Sequence, residues 1–145
     1  MTFDTIVYQK QLEQLIKNYN FCVTDTANTY VRVVDDSLSN QHPASFPGGD
    51  ANLSLFIRKN IEYPSISREY GVEGKVWVKF LVSENGQICN VTILKIGGYG
   101  LPEAALKLLR KMPQWTPATI QGKAVKCYYL LPVSFKIANQ VIIKN

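Results

Sequence analysis

The chain has 145 residues, an apolar content of 46% and a formal net charge of +5. That length makes about one domain with a real core, and the composition excludes a disordered chain. No run of about 18 apolar residues is present, and the opening MTFDTIVYQKQ lacks the basic-then-apolar layout of a signal peptide.

The charge is uneven. Residues 1–45 hold three Lys/Arg and five Asp/Glu, and residues 46–145 hold thirteen and six, so the basic excess belongs to the second part. These cations are scattered along strands and helix ends, without the run or aromatic interleaving of a nucleic-acid surface, and a solvated basic face accounts for them. Three cysteines, Cys22, Cys89 and Cys127, allow at most one disulfide and leave one thiol over. Free buried thiols are the simpler reading, and a structural zinc site is not supported.

Residues 1–20 read as a helix, with Tyr8, Leu12, Leu15, Ile16 and Tyr19 on one face and Lys10, Glu13 and Lys17 opposite. Phe21–Val23 and Tyr30–Val34 are β-prone runs around the polar stretch TDTANT, which predicts a small hairpin. Asp35–Ser45 has the composition of a linker, so residues 1–45 form an extension and 46–145 the main domain. Phe46-Pro47-Gly48-Gly49 is a turn, Asp50 is placed to cap the next helix, and Leu53, Phe56, Ile57 and Ile61 stripe it. Pro64 ends that helix, and Ser65–Gly74 is read as a connector.

Lys75–Val82 alternates, with Val76, Val78, Phe80 and Val82 on one face and Lys75, Trp77, Lys79 and Leu81 on the other. Ser83-Glu84-Asn85-Gly86 is a hairpin turn, and Gln87–Ile96 returns as the second strand. Gly97, Gly98 and Gly100 break the strand before a helix running to Met112. Its first turn holds Pro102, and Pro113 stops it. Ala124–Ile137 is a long last strand with Tyr129, Leu131, Val133, Phe135 and Ile137 on one face, and Val141–Ile143 adds a short one. The implied fold class is α+β, two helices packed on one face of a three-stranded antiparallel sheet, with an N-terminal helix–hairpin extension. A right-handed crossover places the last strand beside the first, giving the order two, one, three. The last strand is then an edge, where Pro132 is tolerated.

No catalytic set emerges. His42 is the only histidine and lies in the linker, Asp35-Asp36 makes a poor carboxylate dyad, and the glycines before the helix fit no phosphate loop. Asn90-Val91-Thr92 has the pattern of a glycosylation acceptor but falls mid-strand. Trp77 and Trp115 read as core or edge cover before they read as peptide anchors.

The spaced set FPGGD (46–50), Tyr63-Pro64, GKVWVKFLVSENGQICNVTILK (74–95), the GGYGLPEAALKLLRKMPQWTPA block, Gly122–Val125 and LPVSF (131–135) resembles the C-terminal domain of TonB, over about residues 46–137. The resemblance implies a periplasmic module of an energy transducer. Its last edge strand pairs with the TonB-box peptide of an outer-membrane receptor, and inner-membrane motor proteins supply proton-motive force for nutrient uptake. Peptide recognition then falls on Val125–Lys136, specifically Val125, Lys126, Cys127, Tyr128, Leu130, Pro132 and Ser134, with no cofactor, metal or nucleic acid. A transducer of that family also has a membrane helix and a proline-rich spacer, absent from these 145 residues. Two readings stay open. In one, the chain is the soluble part of a longer, inner-membrane-anchored protein. In the other, it is a stand-alone module that self-associates, as a homodimer, or regulates.

Overall fold

The computed structural model describes residues 5–24 and 34–137. The elements in chain order are α1 (Thr5–Asn18), β1 (Gln41–His42), α2 (Asp50–Asn60), α3 (Ser65–Glu69), β2 (Gly74–Val82), β3 (Ile88–Lys95), α4 (Leu101–Arg110), β4 (Ala118–Ile120), β5 (Lys123–Val125) and β6 (Cys127–Phe135). Most of Tyr30–Val34 and all of Val141–Ile143 lie outside the described residues.

The main sheet has the order β3-β2-β6, antiparallel throughout, as the crossover argument requires. Val76, Val78, Phe80 and Val82 of β2 are fully buried, and Leu131, Val133 and Phe135 of β6 join them. α4 covers this face with Leu101, Ala104, Ala105, Leu108 and Leu109. The helix starts at Leu101, after the left-handed Gly100, so the three glycines are loop and Pro102 sits in the first turn. Asp50 begins α2 as its first helical residue, and its side chain makes no cap. An acidic group there still suits the helix dipole.

Other expectations change as well. The stretch read as a linker holds β1, which pairs with β4 in a second small sheet of order β1-β4-β5. The connector after Pro64 contains the short helix α3. The long last strand is two, because the chain leaves β5 for the other sheet and restarts at Cys127. Leu81, expected beside lysines on the outer face, is fully buried.

The N-terminal helix has the expected facing. Tyr8 and Leu12 are buried in the core, and Leu12 and Ile16 share a groove with Val91, Ile93 and Ile96. The Tyr8 hydroxyl donates to Glu103 and accepts the Gly100 N–H at 3.0 Å, which ties α1 to the start of α4. The cysteines depart from the free-thiol reading: Cys22 and Cys89 form a disulfide across 67 residues, and Cys127 is free and half-buried.

Candidate functional site

Each edge of the main sheet has a different fate, and the backbone alternation decides it. In the β2–β3 hairpin the Ser83 N–H donates to the Gln87 carbonyl at 2.9 Å. Backbone groups of an antiparallel strand point to alternate sides from one residue to the next. Counting back from Ser83, Leu81, Lys79, Trp77 and Lys75 turn toward β3, and Val82, Phe80, Val78, Val76 and Gly74 turn toward β6. The register matches the second set to Cys127, Tyr129, Leu131, Val133 and Phe135. The intervening residues Tyr128, Leu130, Pro132 and Ser134 therefore aim their backbone groups away from the sheet. Pro132 falls on an outward rung, where its missing N–H breaks no bond to β2. Among the described residues no strand pairs with this outer side of β6.

Side chains at the same positions project from the face opposite the core. Tyr128 is 39% exposed and Leu130 46%. The Lys79 ammonium lies 4.2 Å from the Tyr128 ring centroid, and that of Lys75 lies 5.8 Å from the Trp77 ring. Trp77 stands opposite Pro132, and Lys75 opposite Ser134. The result is a basic and aromatic face across β2 and β6, one strand in from the open rungs.

Three of the predicted residues stand apart from the open rungs. Val125 belongs to β5 and pairs with Ala118 in the second sheet. Lys126 lies between the two strands, with its ammonium 4.0 Å from Glu84. Cys127 bonds inward to β2, and burial pushes its thiol up while the Val34 N–H pulls the other way. Trp115 is core, ringed by Phe46, Phe80 and Tyr129. His42 is an exposed residue of β1, and among the described residues no cluster of His, Cys, Asp and Glu could hold a metal.

The opposite edge, at β3, is partly closed. Cys22 makes a parallel bridge with Cys89, and the Asn90 N–H donates to the Cys22 carbonyl at 2.8 Å. Sequence reasoning missed this strap. Its one sign in the sequence was a polar Asn90 in mid-strand, and the structure holds that residue at φ 50°.

A model of the Gram-negative bacterial TonB protein C-terminal matches residues 59–137. This chain belongs to the TonB C-terminal family. The match takes in β2, β3, α4 and all of β6. The TonB C-terminal domain of Helicobacter pylori, solved by NMR, is similar at 20% identity, covering 60% of this chain and 91% of that one with a TM-score of 0.45. No curated protein matches. No helix among the described residues of this TonB-type module is long and apolar enough to cross a membrane.

Proposed function

We propose that this chain is a TonB-like periplasmic module that takes the TonB-box peptide of an outer-membrane receptor as an added strand on β6. The observation that carries this reading is the row of outward rungs at Tyr128, Leu130, Pro132 and Ser134, with no partner among the described residues. A peptide laid along them satisfies its main chain on the edge, and affinity comes with little demand on side chains. One module can then serve several receptors. Joined to a membrane anchor and its inner-membrane motor proteins, the strand pair would carry load from proton-motive force to a receptor. The module needs no nucleophile, metal or cofactor for this, and its role is binding and transmission rather than catalysis.

Amide NMR of the full chain with a synthetic TonB-box peptide tests the reading. The expected result is movement of the Tyr128, Leu130 and Ser134 amides, with Leu131 and Val133 moving less because they stay bonded to β2. Unchanged shifts along 125–136 at millimolar peptide overturn it. The exposed apolar Tyr128 and Leu130 also favour a second reading, in which this edge pairs with another copy and the module self-associates or regulates. Light scattering separates the two: a monomer that takes up peptide fits the first, and a dimer that ignores it fits the second.

A further inference from the structure

The β3 edge carries a feature that receptor binding at β6 leaves unused. Residues 22–24 lie against it as a short parallel strap, and Asn90 holds them with four hydrogen bonds. Its N–H reaches the Cys22 carbonyl at 2.8 Å, its Oδ1 accepts the Thr24 N–H at 2.9 Å, and its Nδ2 donates to the Thr24 carbonyl and Oγ1, both at 3.2 Å. A side-chain amide presents the same donor and acceptor as a peptide group, so Asn90 pairs with Thr24 as a neighbouring strand residue would. The left-handed backbone of Asn90 accompanies an extra residue in β3 where the register with β2 shifts between Lys79 and Leu81. The Cys22–Cys89 disulfide fixes the first residue of the strap.

We infer that this disulfide is a redox latch on a second strand-accepting edge. While it is closed, the strap cannot leave, because a covalent bond fixes Cys22 beside Cys89. A dithiol reductant opens it, giving up two electrons and two protons and closing to its own disulfide as Cys22 and Cys89 become thiols. The strap is then held by hydrogen bonds alone, each of modest net strength in water. Release stays local, since Tyr8 and Leu12 keep α1 seated in the core independently of the strap.

The occupant of the opened edge is the matching segment of a second copy. The structure shows that the edge fits this chain's own backbone, and an unpaired edge flanked by the half-exposed Leu94 favours pairing with an identical molecule. The inference does not depend on what β6 binds.

The test compares the oxidised full chain, the same chain in dithiothreitol, and the double variant Cys22→Ser/Cys89→Ser. Hydrogen exchange at the Asn90 amide should accelerate in the last two by about tenfold or more beyond any change at the Val78 and Phe80 amides, which report global unfolding. Light scattering should show a mass that rises with concentration in those two states alone. Equal Asn90 exchange in all three overturns the latch. Loss of the whole exchange-protected core overturns it too, since the disulfide is then a general staple. Faster exchange with an unchanged monomer mass overturns the second copy as occupant.

Discussion

The hydroxyl of Tyr8 donates to the carboxylate of Glu103 across 95 residues of chain, and in the same position accepts the N–H that opens α4. Burial, first, and the neighbouring Glu103 push the phenol above its ordinary value of 10.0. The sign comes from linkage. Below pH 10 Tyr8 is neutral folded or unfolded and contributes nothing to the pH slope. Above it, the unfolded chain loses the proton first and stability falls as pH rises. Tyr63 and Tyr129 are shifted in the same direction, chiefly by burial. Tyr8→Phe should therefore melt lower at pH 7, by the loss of about 1–2 kcal/mol of hydrogen bonding, and show a shallower decline between pH 10 and 12 than the parent. Equal slopes would refute the assignment.

The alternation along β6 makes a paired prediction. Leu130→Pro removes an outward N–H, so the chain stays folded, melts a few degrees lower and loses most affinity for the edge peptide. Leu131→Pro removes a bond to β2 and drives the ring into the core, costing about 3 kcal/mol or more. Circular dichroism and peptide titration read both. If the two variants behave alike, the assigned direction of the rungs is wrong.

Gly86 has φ 85°, and a Cβ there would run into the Trp115 carbonyl, whose own N–H donates back to the Gly86 carbonyl at 2.9 Å. Gly86→Ala should cost about 2–4 kcal/mol by urea unfolding. Gly49, at φ 91° and ψ −172° with open space around its missing Cβ, gives the comparison: Gly49→Ala meets backbone strain alone, about 1–3 kcal/mol, and should cost less than Gly86→Ala.

Trp115 is 2% exposed among Phe46, Phe80 and Tyr129, and its indole N–H is buried with no hydrogen-bond partner among the described residues. Trp115→Ala should cost about 3–5 kcal/mol through the cavity it leaves. Trp115→Phe keeps much of the ring contact and removes an unsatisfied donor, so its cost should be less than half of that. Similar losses for both would mean that the N–H has a partner.

Residues 46–137 should fold alone, at reduced stability. They keep α4, the three-stranded sheet and most of the buried set, and lose Tyr8, Leu12, Ala44 and the disulfide. Two large apolar side chains at about 1.5–3 kcal/mol each and a disulfide at about 2–4 kcal/mol predict a melting temperature lower by more than about 10 °C, with a native-like spectrum. An unfolded spectrum would make residues 1–45 integral to the domain.

The main sheet was legible because its signals are local. Val76 to Val82 alternate, Asn85-Gly86 turns the chain, and Leu101 to Leu109 repeat at helical spacing, so strand order and edge came from handedness and Pro132. The hidden parts depend on partners distant in sequence. β1 is two residues long and exists only because Thr119 and Ile120 lie beside it. A disulfide between Cys22 and Cys89 closes a separation of 67 residues that no local pattern records. The break before Cys127 was invisible for a related reason: no glycine or proline stands between Ala124 and Cys127 to mark it, and only the pairing with β4 takes Ala124 and Val125 out of the edge.

Pro132 is more than a tolerated irregularity, because it leaves a notch in an otherwise regular row of donors. Two copies brought together symmetrically about that notch would each face a missing hydrogen bond where the other is also deficient. An unrelated peptide meets the gap once and can set a residue against it whose carbonyl turns to water. If β6 takes an added strand as proposed, the notch would act as a register mark that penalises sliding by one rung pair and disfavours a symmetric pair of copies centred on it.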